Sequence, residues 1–218
     1  MSEAPEDTLP LGVDDEVRPP AAAPVRKRPK PGERRVQILQ TLAAMLEQPG
    51  VERITTAALA ARLDVSEAAL YRHFASKAQM FEGLIEFIES SVFTLVNQIV
   101  EREPSGALQA QKITTMLLQF GEKNPGMTRV MVGDALVFEH ERLSARMNQF
   151  FDRVESQLRI SLRSAAESAG SSTPTVDAQA LASAITALAV GRLQRYARSG
   201  FRRLPTEHLE PALLRLSH

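Results

Sequence analysis

The sequence predicts an all-α fold, with a compact helical head followed by a longer helical body. Three observations predict it. From residue 32 onward, apolar residues recur three and four apart, the spacing that lines one face of a helix. Breaks bearing Pro or Gly at 49–50, 104–106, 124–126 and 170–174 cut that pattern into separate helices. Between the first two breaks, residues 53–77 (RITTAALAARLDVSEAALYRHFASK) read as two short helices joined by a tight turn, with another helix starting just after.

Residues 1–31 are rich in Pro, Ala and acid, with few large apolar residues to offset the entropy of ordering, and are expected to be a disordered tail. Residues 1–24 hold six acids and one base, Arg18, whereas 25–35 hold six bases and one acid, Glu33. That basic end is read equally as a solvated leader or as an arm that reaches DNA phosphates or a minor groove. The first helix is expected from about Gly32 to Glu47. Val36, Leu39, Ala43 and Leu46 fall at helical spacing, Ile38 and Leu42 widen the stripe, and Pro49-Gly50 stops it.

In the next stretch, Leu59 and Leu63 share one helix face, and Leu70 and Phe74 repeat the spacing. Val65 in the turn closes the small core between them. Thr55 or Thr56 is expected to cap the first of these helices, Ser66 the second and Ser76 the next. With Leu70 and Phe74 inward, Ala68 and Arg72 lie on the far face, flanked by Ala69 and Tyr71. A slender face of small residues suits entry into a major groove, ~12 Å wide, as the second helix of a helix-turn-helix does. Tyr71, His73 and Lys77 are then expected to hold phosphates. Arg72 is read either as a base contact, because guanidinium matches guanine, or as a further phosphate contact. Thr55 and Thr56 sit at a helix N-terminus, where N–H groups and hydroxyls suit phosphate. Glu67 opposes this use: it suits the helix dipole but must point away from the DNA.

The body is expected to open with a long helix from about Lys77 to Glu101, striped by Phe81, Leu84, Ile85, Ile88, Val92, Leu95, Val96 and Ile99. Phe87 falls just beside the stripe. A helix over 108–123 follows, carrying Ile113, Met116, Leu117 and Phe120. Asn124-Pro125-Gly126 is a turn signal. Short helices are expected at 127–132 and 134–139, and a long one over 140–169 with Leu143, Met147, Phe150, Val154, Leu158 and Leu162 inward. Asp177 is expected to cap the last long helix, which runs to about Gly200 and carries Leu181, Ile185, Leu188 and many alanines. More apolar surface than one chain can cover on two long helices points to a homodimer, which would also present two reading helices to two half-sites. The expected division is a tail at 1–31, a DNA-binding head at 32–76 and a dimerisation and partner-binding body at 77–218.

Composition sets outer limits. The chain has 218 residues, 44% of them hydrophobic, with no cysteine and no tryptophan. No disulfide frame or thiolate metal site is available. Neither a signal-peptide pattern nor an apolar run near the ~20 residues of a membrane span is read, so a cytoplasmic setting is expected. The 26 basic and 26 acidic residues balance, so the total charge does not favour DNA, although the local basic run does. The four histidines, His73, His140, His208 and His218, show no metal-ligand spacing, and HExxH, GxSxG and GxxxxGK[ST] are absent. Glu139 and Glu141 read as solvated surface. No catalytic constellation and no cofactor are expected. Arg192, Arg195, Arg198, Arg202 and Arg203 crowd the end of the last long helix. A solvated helix end favoured by its dipole is the simpler reading, a strip facing DNA or a membrane the other.

The segment V-S-E-A-A-L-Y-R-H-F-x-S-K resembles the DNA-binding signature of the TetR family. The fuller stretch RITTAALAARLDVSEAALYRHFASKAQMFEGLIEFIE, and then GEKNPGMTRVMVGDALVFEHERL, are similar to one subgroup of that family, over roughly Gly32 to Arg203. The resemblance implies a TetR-like helical repressor fold: a three-helix head and a body that pairs by its last two long helices. It implies a dimer on a palindromic site of double-stranded DNA, associated with the nucleoid, that antagonises assembly of the division GTPase FtsZ. By resemblance, Phe87, Met116, Lys123 and Asn124 match positions at that partner contact, in a groove between the helices 77–101 and 108–123. Phe87 reads equally as core, and Lys123 as an ordinary helix-end cation. Leu95 stands where the subgroup carries an arginine. Chains of the subgroup begin close to the first helix, so the tail is a departure. The alternative is a repressor released by a small molecule held among the helices from 108 to 200; an enzyme is the remote third reading.

Overall fold

The computed structural model describes residues 32–48 and 53–216, and all regular structure among them is helical. The expected tail over 1–31 and the Pro49-Gly50 stop lie outside the described residues. Helix α1 (Glu33–Leu46), α2 (Thr56–Leu63) and α3 (Glu67–Tyr71) form the head. The body follows with α4 (Lys77–Arg102), α5 (Gly106–Lys123), α6 (Pro125–Met131), α7 (Glu141–Ser168), α8 (Pro174–Arg198) and α9 (Leu209–Leu216), with a 3-10 turn at Asp134–Leu136.

Helix α1 buries Ile38, Leu42, Ala43 and Leu46, while Val36 stays 54% exposed. The buried stripe is therefore rotated from the one expected through Val36, because both sets fit a helical period. Ser105 caps α5 and Ser76 caps α4 through their hydroxyls. Asp177 is not a cap: α8 begins earlier, at Pro174, and Asp177 in its first turn accepts hydroxyl hydrogen bonds from Ser171 and Thr173. Pro174 holds the first helical position, where its missing N–H costs nothing. Helix α9, carrying Pro211, was not expected; it packs on α8 and buries Leu209 and Leu213.

Helices α7 and α8 pack against each other along their length, with α5 against both and α4 against α5, α7 and α1. All six residues expected inward on α7 are buried. Phe150 is fully buried, with Phe93 and Phe151 edge-on to it at 5.6 and 5.1 Å. By length and composition α4 and α8 are long and apolar enough to cross a membrane, contrary to the sequence expectation. Their apolar stripes instead face this core, where each fully buried side chain contributes about 1.5–3 kcal/mol. On α4, Leu95 is the exception, 39% exposed.

The buried residues of head and body form one continuous core. Helix α6 is the joint. A Cβ on Gly126 would lie 2.1 Å from the carbonyl oxygen of Ala43, so only glycine lets α6 approach α1 this closely. The guanidinium of Arg129 donates to the carbonyl of Leu46 at 3.3 Å across the same joint. Within the body, salt bridges tie α4 to α7 and to the segment before it. Lys77 pairs with Glu139, Glu82 with Arg142 at 2.8 Å and Glu89 with Arg146 at 2.6 Å, so α4 and α7 run upward together from the head.

Candidate nucleic-acid interface

The head builds an exposed helix from local rules. Thr55 accepts a hydrogen bond from the N–H of Ala58 at 3.1 Å and starts α2. Asp64 adopts the left-handed region, φ 53°, and reverses the chain after α2; aspartate tolerates that conformation better than most residues. Ser66 then accepts from the N–H of Ala69 at 3.3 Å and starts α3. Leu59, Leu63, Leu70 and Phe74 are buried, Val65 packs against them, and Ile38 and Leu42 of α1 close the core from behind. Phe74 lies beyond the last turn of α3, so that helix is shorter than the sequence suggests.

With that face inward, Ser66, Glu67, Ala68, Tyr71, Arg72 and His73 are exposed and Ala69 is half-buried. Ala68 presents only a methyl group. Thr55 is exposed, whereas Thr56 is half-buried and its hydroxyl donates to the carboxylate of Glu67. Glu67 is thus held back against the first turn of α2. Arg35 plays a part not foreseen from sequence. Its guanidinium donates to the carbonyl of His73 at 3.0 Å and stacks over the Phe74 ring at 4.1 Å, fixing the end of the reading element onto α1. A cation 38 residues away leaves no signal in spacing.

Lys77 is placed differently from expectation. Its ammonium is bonded to Glu139, and the two side chains keep 19% and 9% of their exposure. It also lies 5.6 Å from the centroid of the Phe81 ring. A phosphate could recruit Lys77 only by leaving the Glu139 carboxylate nearly buried and unpaired, which is costly. Lys77 therefore ties the first turn of α4 to the segment that leads into α7. Glu139, expected as solvated surface, is its half-buried partner.

A second surface runs along the seam of α4 and α5. These helices are antiparallel: the side chain of Gln109, near the start of α5, donates to the carbonyls of Val100 and Glu103 at the end of α4. Phe87 is 47% exposed on α4. Lys123 is exposed at the end of α5, and Asn124 is half-buried, its amide donating to the Phe120 carbonyl at 2.7 Å. Met116 is half-buried and lines a depression of about 300 Å³ with Leu95, Ile99, Arg102, Glu103 and Lys112. Lys112 donates to Glu103 at 2.6 Å and holds that carboxyl below the usual carboxylate range, aided by the Ser105 N–H. A separate apolar cleft of about 570 Å³ lies among α5, α7, α8 and α9, lined by Leu108, Leu162, Leu181, Ile185 and Leu213. Among the described residues no group of three His, Asp or Glu side chains can hold a metal ion.

Residues 38–84 match the model of bacterial regulatory proteins of the tetR family, and 106–215 match the SlmA-like, tetracycline-repressor-like C-terminal domain. The chain is 51% identical over 175 residues to the nucleoid occlusion factor SlmA of Idiomarina loihiensis, covering 80% of this chain and 89% of that one. It is 50% identical over 182 residues to SlmA of Vibrio vulnificus, covering 83% and 92%. Among solved structures, the transcriptional regulator FadR of Bacillus subtilis, in complex with stearoyl-CoA, aligns with a TM-score of 0.66 at 12% identity, covering 84% of this chain and 97% of that one. A TetR-like regulator of Rhodococcus sp. RHA1 aligns at 0.65 and 18%, covering 83% and 94%. At such identity the structures speak for the fold alone.

Proposed function

Because the chain belongs to the TetR family, in the branch with the SlmA-like C-terminal domain, we propose that it is a nucleoid occlusion factor, a dimer that binds palindromic chromosomal sites and there blocks assembly of FtsZ. The observation that carries this reading is the half-identity to proteins named SlmA over four-fifths of the chain, with the helix-turn-helix inside the matched region.

In this reading α3 enters the major groove with Ala68 and Ala69 toward the base edges. Arg72 reads a base or grips the backbone beside it, and Thr55, Tyr71 and His73 hold phosphates on either side. Ser66 and Arg35 act by fixing the helix. Dimerisation uses α7 and α8. The outer face of α8 carries Val176, Ala180, Ala184, Ala187 and Gly191, all at least partly accessible, at a spacing that lets another helix come close. The FtsZ contact lies on the α4–α5 seam, where Phe87 supplies an exposed aromatic and Lys123 a cation for an acidic peptide, with Met116 and Asn124 alongside. Binding of DNA favours the FtsZ-competent state only if both ligands prefer one arrangement of head and body, and the continuous core of the two supports such coupling.

The test is selection of bound duplexes from a random pool. The reading predicts a palindrome whose half-sites lie ~34–36 Å apart or a multiple of that. No enriched sequence, or a single unpaired half-site, would contradict it. The 570 Å³ cleft favours a ligand-released repressor instead. In that case the enriched site lies beside a regulated gene rather than scattered over the chromosome.

A further inference from the structure

Between 192 and 203 the chain carries five arginines, Arg192, Arg195, Arg198, Arg202 and Arg203, and no acid. Elsewhere in the body Arg142, Arg146 and Arg163 each pair with a glutamate. In this cluster Arg192 is structural: it donates to the carbonyls of Pro205 at 3.1 Å and Glu207 at 2.6 Å and folds the chain back after α8. The other four are exposed, and no ion pair forms on them among the described residues.

A helix dipole accounts for Arg195 and Arg198, in the last turn of α8, but not for the rest. Arg202 and Arg203 lie past the end of α8, where its influence fades. They are also held on a defined turn. Phe201 adopts a left-handed φ of 63°, unusual for an aromatic residue, and its ring packs edge-on against Tyr196 at 5.3 Å. The Ser199 hydroxyl accepts from the N–H groups of Arg202 at 3.1 Å and Arg203 at 2.9 Å, and the Ser199 carbonyl accepts from the Arg202 side chain. An adverse backbone conformation is thus maintained where it presents uncompensated positive charge.

The position of the turn narrows its partner. Tyr196 donates to the carbonyl of Glu122 at the end of α5, and α6 follows at once, seating Gly126 under Ala43 of α1. The arginine turn therefore lies at the end of the body that carries the head. Helix α8 is also the helix with the stripe of small residues, so pairing through it brings two such turns together near the dimer axis, between the heads.

We propose that Arg198, Arg202 and Arg203 form a second phosphate-binding surface, which grips the DNA backbone between the two half-sites. It rests on the reading that the chain binds DNA as a dimer, and adds a contact outside the helix-turn-helix that strengthens binding without reading sequence. Phosphate contacts of this kind act through counterion release.

The experiment compares the full chain with R198Q/R202Q/R203Q on a duplex that the unaltered chain has selected. A second duplex carries neutral methylphosphonates in its central segment. One lost phosphate contact per protomer lowers the log–log salt slope by about 2, so affinities at 50 and 200 mM salt diverge by about tenfold less than for the unaltered chain. The neutral centre should weaken the unaltered chain and leave the triple variant unchanged, with the preferred bases the same. The single R203Q, checked for unfolding midpoint and dimer mass, should show a smaller slope change of the same sign. Equal slopes, or equal loss from both proteins on the neutral duplex, would overturn the proposal alone. A variant with an intact slope that no longer restrains FtsZ would assign the turn to a protein partner and overturn it too. An unaltered chain that selects no duplex would overturn the underlying reading, and this one with it.

Discussion

Replacing Lys77 with alanine separates the phosphate contact expected from sequence from the ion pair that the structure gives this side chain. In the structure its ammonium is bonded to Glu139 of the 134–140 segment, with both side chains largely buried. Removing one partner of a fully buried pair costs about 3–5 kcal/mol. A hydrogen bond to a charged group is worth about 1.5–3 kcal/mol. The residual exposure of Lys77, 19%, lets water recover part of the loss for Glu139, so the lower range applies. Lys77→Ala should therefore lose about 2–3 kcal/mol in urea unfolding, and a chain of this size should melt roughly 4–12 °C lower. Glu139→Gln should lose a similar amount, and the double variant much less than the sum, because the pair acts as a unit. The DNA side is as specific. A phosphate lysine removed by mutation lowers the salt slope by about one per protomer, hence about two for the dimer. Lys77 is occupied, so the slope of Lys77→Ala on a selected duplex should stay that of the unaltered chain. A fall of about two, with stability unchanged, would refute the assignment and return Lys77 to the DNA contacts.

Three other outcomes are expected. Gly126→Ala should lose about 1–3 kcal/mol, toward the upper end because the clash is with the backbone carbonyl of Ala43, and hydrogen exchange should show α1 opening more readily. Ala68→Trp should leave the unfolding midpoint within about 0.5 kcal/mol, as an exposed site, yet abolish duplex binding through bulk at the groove. Burial, with the charges of Glu122 and Glu47, holds the Tyr196 phenol above the ordinary tyrosine range. A raised pKa stabilises fully below the unfolded value near ~10 and is lost as pH rises through the folded one. In Tyr71→Phe, where Tyr196 is the sole tyrosine, phenolate absorbance should therefore rise only above about pH 10, accompanied by falling stability.

What could be read from the sequence was local. The caps Thr55, Ser66 and Ser76 and the stripes of α4 and α7 follow from spacing within one or two turns, and the structure places them as expected, Leu95 apart. The misreadings occur where packing between distant segments decides. Two overlapping stripes on α1 fit one period, and packing against α2, α4 and α6 selects Ile38 over Val36. Helix α9 carries Pro211 and is too short to announce itself by period; docking on α8 holds it. Asp177 has the chemistry of a cap, yet Pro174 starts the helix first. At the interface, the exposed face of α3 was legible, because burying Leu70 dictates it. The roles of Arg35 and Lys77 were not, because their partners, His73 and Glu139, lie 38 and 62 residues away.

The most direct test of the central claim is sedimentation of FtsZ polymers in the presence of GTP, with the chain alone, with its selected duplex alone, and with both. The proposed function predicts that both together clear polymer from the pellet, that the chain alone does so weakly, and that Phe87→Ala abolishes the effect while binding DNA normally. Polymer that pellets equally in every mixture would contradict it.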